Sequence, residues 1–200
     1  MATVRQPLAT DFSSSTPGTG GRPSSAIGAV DQQAIDQRFE ALLRRVQANR
    51  PSEDVSVIRK AWDFCVQHHR GQTRASGEPY IIHPLEVAEV LAEMKLDATA
   101  ISAGLLHDAV EDTPATSEEI DSGFGDQVAH IVEGVTKIDK IQFANREDRQ
   151  AENVRKMLLA MVTDVRVVLI KLADRPHNMR TLVHLQPDRR EAIARETLEI

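Results

Sequence analysis

The stretch LLHDAVEDT, residues 105–113, places potential metal ligands next to an apolar run. His107 and Asp108 follow apolar side chains directly, and Glu111 and Asp112 come within one helical turn. In a buried helix, an ionised carboxylate costs several kcal/mol unless it is paired or bound to a metal. Neutral imidazole nitrogen and carboxylate oxygen are suitable ligands for Mn²⁺, Fe²⁺, Zn²⁺ or Mg²⁺. A divalent metal site is therefore one interpretation, and a hydrogen-bonded His-Asp pair is the simpler one.

Two further residues could complete such a site. His83, in YIIHP, and Asp174, in IKLADRPHN, each come directly after an apolar run, at a buried edge. Taken alone, His83 could start a helix, and Asp174 could cap one or pair with Arg175 or Arg180. Two histidines and two aspartates would leave positions on a six-coordinate ion for water and a substrate oxygen, as metal-assisted hydrolysis requires. The order His, His-Asp, Asp on successive helices makes the set more specific than any one member.

Helical periodicity predicts the elements that must position these residues. Apolar residues recur at spacings of three and four over residues 35–46, 55–69, 85–94, 128–135 and 154–161. A buried helix is also predicted over residues 98–111. VRVVLIKLAD, residues 165–174, is rich in β-branched residues, but no other segment could pair with it as a strand, so we predict a buried helix there as well. The predicted class is all-α, with eight or nine helices around one core.

Several residues are typical of helix boundaries. Thr116 and Glu119 have the spacing of a capping box, and Pro84 suits a first helical turn. Ser52 and Asp97 are predicted as N-caps, and two glycines are predicted as helix stops, namely Gly71 and Gly123.

Composition and charge limit the classes of protein. Residues 1–30 are rich in Ser, Thr, Gly and Pro and are predicted to be a disordered tail, with a transit peptide as the alternative, while residues 31–200 form the predicted domain. The net charge of −6 argues against a general nucleic-acid binder. Cys65 is the single cysteine, which suits a reducing compartment, so the cytoplasm is the expected location. The sequence has neither an apolar run long enough to span a membrane nor a secretory signal pattern.

The metal-ligand order resembles that of the HD-domain metal-dependent phosphohydrolases, and flanking motifs narrow the resemblance. HHRGQTRASGEPYIIHPLEVAEVL, LLHDAVEDT, VEGVTKIDKI, AENVRKMLLAM and KLADRPHNMRTL look like the N-terminal hydrolase domain of long RelA/SpoT-type alarmone synthetase/hydrolases. The resemblance covers roughly residues 40–200. It implies an all-α HD fold and Mn²⁺-dependent removal of the 3′-pyrophosphate of ppGpp and pppGpp, which returns GDP or GTP.

The resemblance also implies a role for individual residues. The metal ligands would be His83, His107, Asp108 and Asp174. Glu111 and Asp112 would be the acidic pair that orders or activates the attacking water, with the choice between them open. The spacing agrees with this, because Asp108 and Asp112, like His107 and Glu111, lie four residues apart and would share a helix face. A solvated helix end is the alternative for the acidic pair.

Substrate contacts are implied in the same way. Arg74 corresponds to the arginine that stacks on guanine in the family, which suits a planar guanidinium, while Ala75 replaces the usual lysine. The expected contacts to the nucleoside or its phosphates are Asn178, Arg180 and Thr181. Pro176 replaces a more usual apolar residue such as leucine. Proline is easily tolerated near a helix terminus but would cost about 3 kcal/mol within a helix. Positive potential toward the pocket could come from Arg74, Lys137, Lys140, Lys171 and Arg175.

The last residues, ARETLEI, resemble the long enzymes at the point where the hydrolase passes into linking helices and a synthetase. We therefore expect a chain truncated before the synthetase, whose partners are the nucleotide and the C-terminal synthetase and regulatory domains, with no direct nucleic-acid or membrane contact. Two alternatives stay open: an HD phosphohydrolase of another nucleotide, and a guanine-nucleotide-binding module without turnover. The intact ligand set and Glu-Asp pair favour an active enzyme.

Overall fold

A computed structural model describes residues 25–140, 155 and 161–198. The helices with complete bounds are α1 (Ser25–Asn49), α2 (Ser56–His68), α3 (Ile82–Glu93), α4 (Ala98–Leu106), α5 (Ala109–Asp112), α6 (Ser117–Phe124), α7 (Asp126–Lys140), α8 (Val165–Thr181) and α9 (Pro187–Leu198). A short 3-10 helix, Leu182–His184, joins α8 to α9. The described residues contain no strand, only an isolated bridge between Thr73 and Pro79. The predicted all-α class is confirmed.

Helix α4 lies at the centre of the fold. Its sequence, ATAISAGLL, is apolar or small on every side, and eight of its residues are buried: Ala98, Ala100, Ile101, Ser102, Ala103, Gly104, Leu105 and Leu106. Such a helix needs neighbours all round. It packs against α2, α3 and α7, and α3 packs in turn against α1 and α8. The chain after α4 is therefore held among the elements that carry the other candidate ligands.

The predicted apolar stripes face this core. In α1 the buried stripe is Ile35, Phe39, Leu42, Leu43 and Val46, and in α7 it is Val128, Ile131, Val132 and Val135. Phe39 also stacks on Trp62 of α2, with ring centroids 4.7 Å apart and planes 9° apart. The stripe predicted over residues 154–161 lies mostly outside the described residues.

Helix boundaries agree with the predictions at some positions and differ at others. Asp97 caps α4 by accepting from the backbone N–H of Ala100, and Thr116 and Glu119 form the predicted capping box of α6. Ser52 does not cap α2, which begins at Ser56, where Oδ1 of Asp54 accepts from the backbone N–H. The stop predicted at Gly123 is also wrong. Helix α6 continues to Phe124, and Gly125, with φ +84°, ends it, because a positive φ is accessible to glycine at low cost.

The β-branched stretch VRVVLIKLAD is helical, as predicted, and forms the first part of α8. Pro176 lies inside this helix and not near its end. Proline has no N–H, so the carbonyl of Leu172 loses its usual helical partner. Leu172 and Pro176 are both exposed, which allows water to serve that carbonyl.

The beginning of α1 differs from the predicted tail. Helix α1 begins at Ser25, after the last proline of the segment, Pro23, so its first residues overlap the predicted tail of residues 1–30. Residues 1–24 lie outside the described residues. No helix in the described part of the chain has the length and apolarity needed to cross a bilayer.

Candidate metal centre

Three helical segments bring a buried cluster of potential metal ligands together. His83 lies in the first turn of α3, His107 directly follows α4, and Asp174 lies on α8. One ligand atom from each lies within 4.8 Å of the others, and all three side chains are buried. Nε2 of His83 is 3.1 Å from Oδ1 of Asp174. Residues 91 positions apart therefore share one site because α3 packs against α8.

Asp108 closes the cluster on its open side. Its Oδ2 lies 3.3 Å from Nε2 of His83, and its Oδ1 lies 3.1 Å from Nε2 of His107. The Asp108 side chain is 23% exposed, against 1% for His107. The structure thus brings together the four side chains that were predicted as ligands, with Asp108 at the boundary between the buried cluster and solvent.

The helix predicted over residues 98–111 is interrupted in this region. Helix α4 ends at Leu106, His107 and Asp108 form a turn, and α5 restarts at Ala109. His107 is buried whereas Glu111 is exposed, so the two residues predicted to share a helix face have different surroundings. Asp108 and Asp112 do stay together, since the backbone N–H of Asp112 donates to the carbonyl of Asp108 at 2.9 Å.

His107 has the hydrogen-bond arrangement of a metal ligand. Its Nδ1 lies 2.8 Å from the carbonyl oxygen of Gly104, and a carbonyl can only accept, so Nδ1 carries the proton. In the neutral ring, the lone pair is then on Nε2, which is buried and has no hydrogen bond in the described structure. Metal-bound histidines are commonly fixed in this way. The donor set therefore fits a divalent cation.

The charged groups of the cluster shift one another's pKa values. Burial disfavours the charged form of His107, but the carboxylates of Asp108 and Asp174 outweigh burial and raise its pKa to about 9. Burial likewise opposes ionisation of Asp174, but His83 and His107 lower its pKa to about 2. The pKa of Asp108 also lies well below its usual value, because the two histidines overcome burial. The proton held by His107 thus supplies positive charge beside the two carboxylates, a role that a bound metal would take over.

A tight loop before α3, residues 72–80, covers one side of the site. The backbone N–H groups of Arg74 and Tyr80 donate to the carbonyls of Glu78 and Gln72, at 3.0 Å each, and Gly77 turns the chain with φ +85°. This folds Arg74 back toward Tyr80, with its guanidinium carbon 5.7 Å from the ring centroid. The loop therefore places the Arg74 guanidinium and the Tyr80 phenol beside the cluster.

Tyr80 was not predicted as a functional residue. Its hydroxyl lies 2.9 Å from Oδ2 of Asp108 and also contacts Oδ2 of Asp112. Burial and these two carboxylates raise the pKa of Tyr80, so the phenol keeps its proton. Its position three residues before His83 was a usable signal, since residues at that spacing meet at the start of a helix.

One face of α8 lines the other wall. Lys171, Asp174, Arg175 and Asn178 follow the three- and four-residue spacing of one helix side. Asn178 donates through Nδ2 to Oδ1 of Asp174 at 2.6 Å, and its Oδ1 accepts from Arg74 at 2.7 Å. Lys171 and Arg175 are both buried, which is unusual for cations and adds positive charge beside the carboxylates.

His177 is a second residue that the sequence interpretation missed. It is buried, and its Nδ1 lies 2.7 Å from Nδ1 of His83 and 3.4 Å from the Arg74 guanidinium. Burial, together with the neighbouring His83, lowers its pKa, which favours a neutral ring. It follows Asp174 by three residues, so the helical period would have placed it near the ligands.

Residues of the loop before α3, of α8 and of the cluster surround a cavity of about 400 Å³, large enough for a small ligand. Its lining includes Arg74, Ala75, Tyr80, His83, Asp108, Asp112, Lys171, Asp174, Arg175, Asn178, Thr181 and Arg189. Glu111 and Arg180 are exposed and are not among the described lining residues, and Arg180 lies 3.4 Å from Glu86 instead. Lys137 is exposed and pairs with Glu133, and the Lys140 side chain lies outside the described part of the chain.

Comparison with known proteins identifies related sequences. Residues 61–200 match the HD domain family. The bifunctional (p)ppGpp synthase/hydrolase SpoT of Escherichia coli is 56% identical over 162 residues, which are 81% of this chain and 23% of that protein. The GTP pyrophosphokinase of Myxococcus xanthus is 48% identical over 177 residues, which are 87% of this chain and 23% of that protein.

A solved structure is also similar. It belongs to a metazoan protein described as an ortholog of SpoT that hydrolyzes ppGpp, with a TM-score of 0.55, 30% identity, and coverage of 68% of this chain and 78% of that one. The chain spans 23% of the length of the two curated relatives named above. By the match over residues 61–200, this chain belongs to the HD-domain family, and within that family it is similar to the hydrolase part of long RelA/SpoT proteins.

Proposed function

We propose that this chain removes the 3′-pyrophosphate from ppGpp and pppGpp by metal-dependent hydrolysis, giving GDP or GTP and pyrophosphate. The observation that carries the proposal is the cluster of buried His83, His107 and Asp174, with Asp108 at its solvent side, next to a cavity lined by cations. Two relatives support the substrate, because the Escherichia coli protein is named a (p)ppGpp synthase/hydrolase and the metazoan ortholog is described as hydrolyzing ppGpp.

The proposed cofactor is Mn²⁺, held by the two histidines and the two aspartates of the cluster. This donor set of imidazole and carboxylate suits a divalent ion of the first transition series. When bound, the ion supplies a Lewis acid that polarises phosphoryl oxygens and favours attack by water near neutral pH. The chain itself orients the ligand atoms. The carbonyl of Gly104 accepts from Nδ1 of His107, and Nδ2 of Asn178 donates to Oδ1 of Asp174.

Asp112 and Glu111 are the proposed acidic pair, and the geometry favours Asp112 as the residue that takes a proton from water. Asp112 lines the cavity and shares the Tyr80 hydroxyl with Asp108. In the proposed reaction the hydroxyl of water joins the phosphorus, the bond from this phosphorus to the ribose 3′ oxygen breaks, and a proton ends on that oxygen. A carboxylate beside the attacking water is suited to carry the proton.

The proposed nucleotide contacts lie along the cavity wall. Arg74 would stack on the guanine, and Asn178 and Thr181 would contact the nucleoside or its phosphates, as predicted. Arg180 keeps this proposed role only if it leaves Glu86 for the substrate. Lys171, Arg175 and Arg189 also line the cavity, and their positive charge supports the attraction of a polyanion to an acidic chain. Ala75 lines the cavity without a charge of its own.

The wider setting is also part of the proposal. The curated relatives are much longer than this chain, so we propose that residues 31–200 act as a hydrolase domain beside synthetase and regulatory domains. We place the protein in the cytoplasm, with which a single buried cysteine, Cys65, is compatible.

The proposal is tested by incubating the purified chain with ppGpp and Mn²⁺ and separating the products by anion-exchange chromatography. We expect GDP and pyrophosphate in equal amounts, with no product after chelation. Asp63→Asn, at an exposed position away from the cavity, is the matched control for Asp108→Asn and should retain activity. A folded, Mn²⁺-bound sample that leaves ppGpp intact would refute the proposal. Turnover of other nucleotides in the same assay would then assign a different HD phosphohydrolase.

A further inference from the structure

His83 and His177 form an unusual contact between two buried imidazoles. Their Nδ1 atoms are 2.7 Å apart, the ring centroids are 5.0 Å apart and the planes are inclined by 23°. Because the two Nδ1 atoms are much closer together than the two ring centroids, and the ring planes are nearly parallel, the rings meet edge to edge. This geometry suits an N–H···N hydrogen bond, in which one Nδ1 donates and the other accepts.

The Arg74 guanidinium decides which ring donates. Its Nη1 lies 3.4 Å from Nδ1 of His177, and a guanidinium nitrogen can only donate. Nδ1 of His177 therefore presents its lone pair toward both neighbours. The proton between the two imidazoles then belongs to Nδ1 of His83, so that in the neutral ring Nε2 of His83 has the free lone pair. That nitrogen is the atom facing Asp108 and Asp174.

Glu78 holds the opposite side of His177. Oε1 of Glu78 lies 3.3 Å from Nε2 of His177, and this carboxylate oxygen is buried without a well-aligned hydrogen bond among the described residues. A buried carboxylate oxygen requires a donor, and the N–H on Nε2 of His177 is beside it. A neutral His177 with its proton on Nε2 can donate to Oε1 of Glu78 from one edge and accept from Nδ1 of His83 at the other.

We propose that His177, oriented by Glu78, is a positioning residue that fixes His83 as the Nδ1–H tautomer and directs its Nε2 into the metal centre. The inference rests on the proposed function, because it requires the same four-residue cluster to hold a metal. It assigns a role to a side chain that is neither a metal ligand nor one of the described residues lining the cavity. Partners of this kind commonly set ligand orientation and affinity.

The proton assignment is tested in the wild-type, metal-free chain by ¹⁵N–¹H NMR of the imidazole nitrogens. The His177 signals are identified by their absence in His177→Asn. We expect a protonated Nε2 and an unprotonated, hydrogen-bonded Nδ1 on His177. A proton on Nδ1 of His177 would overturn the proposal, because His83 could then not be its donor. This readout does not depend on activity or on a bound metal.

The effect on the metal is tested by titrating Mn²⁺ into two variants, with circular dichroism as the check on folding. His177→Leu removes the acceptor and should weaken Mn²⁺ binding by about 10- to 100-fold. His177→Asn should recover most of the affinity, because its Oδ1 can take the place of Nδ1 and accept from His83. A folded His177→Leu with wild-type affinity would overturn the positioning role.

Glu86→Gln is the matched control for the Glu78 contact. The Glu86 carboxylate lies 3.9 Å from the same Nε2 but also contacts Arg38 and Arg180 at the surface. We expect unchanged Mn²⁺ affinity and an unchanged His177 spectrum in Glu86→Gln, and loss of the single His177 tautomer in Glu78→Leu. A wild-type chain that binds no Mn²⁺ would refute the metal centre itself. If the wild type binds Mn²⁺ and His177→Leu binds it with the same affinity, only the positioning role of His177 is refuted.

Discussion

The hydroxyl of Tyr80 lies 2.9 Å from Oδ2 of Asp108, and the same hydroxyl contacts Asp112 one turn further on. One phenolic proton lies between two carboxylates and can serve only one of them at a time. A cation beside Asp108 would draw that carboxylate toward itself and leave the phenol to Asp112. Tyr80 thus links a proposed metal ligand to the proposed proton acceptor.

We expect Tyr80→Phe to lower the rate of ppGpp hydrolysis by about tenfold, since a hydrogen bond to a charged group contributes about 1.5 kcal/mol or more. The fold should survive, because the phenyl ring keeps its stacking on His69, where the centroids are 4.4 Å apart. Steady-state kinetics and thermal unfolding measure the two effects separately. An unchanged kcat would show that the phenol does not act on the carboxylates.

The side chains predicted as ligands lie together in the structure, and the sequence marks them because each lies at or directly after an apolar run. His83, His107 and Asp174 each come at a point where a buried helix begins, ends or faces a partner, and the apolar periodicity marks such points. The type and order of the residues then favoured a metal. Distances between them could not be predicted, because they depend on how α3, α4 and α8 pack.

Local conformation and side-chain networks were harder to predict. The turn at His107 and Asp108 interrupts a segment whose periodicity fits a continuous helix, so Glu111 was expected beside His107 but is exposed. Tyr80 and His177 acquire their roles from contacts across the chain, His177 with a residue 94 positions away. No helical period shows that Arg189 of α9 would reach the cavity, since that depends on tertiary docking alone.

Gly104 is required for the close approach of α3 and α4. A Cβ at this position would clash with Cδ1 of Leu91, which is itself fully buried. Alanine adds about 1 kcal/mol of helix propensity, but overpacking a closed core costs about 1 to 3 kcal/mol. We expect Gly104→Ala to lower the free energy of unfolding by about 1 kcal/mol, measured by urea denaturation.

Gly123→Ala is the matched control for this substitution. Gly123 also lies in a helix, α6, but a Cβ there meets no described atom within 4 Å. We expect it to raise stability by about 0.5 to 1 kcal/mol through helix propensity. Equal effects of the two substitutions would contradict the packing argument.

The raised pKa of His107 predicts a pH-dependent stability for the metal-free chain. The pKa is about 9 in the folded state against 6.5 for an ordinary histidine, so the folded protein binds the proton more tightly. This stabilisation, roughly 3 kcal/mol, is fully present below pH 6.5 and is lost as the pH rises through 9. Urea denaturation in the presence of chelator should show the decline.

Saturating Mn²⁺ provides the control for the pH experiment. A metal requires His107 without its second proton, so its affinity should rise with pH and offset the decline. Calorimetry at pH 7.5 in buffers of different ionisation enthalpy should show proton release on Mn²⁺ binding. Binding without proton release would contradict a protonated cluster in the metal-free state.

Asp108→Asn tests the ligand assignment most directly, because the amide keeps the shape of the side chain and removes its charge. The carboxylate faces Nε2 of both His83 and His107, so its loss leaves His107 without its nearest counter-charge and His83 with Asp174 alone. Removing one partner of a buried charge pair costs about 3 kcal/mol or more, which is over 100-fold in a binding constant. We expect Mn²⁺ affinity and ppGpp hydrolysis to fall together by at least roughly that factor, while circular dichroism shows the helical content retained.

Two outcomes would contradict this prediction. If Asp108→Asn hydrolysed ppGpp at the wild-type rate, the four-ligand assignment would be wrong. If hydrolysis were lost while Mn²⁺ binding stayed intact, Asp108 would belong with the acidic pair and not among the ligands.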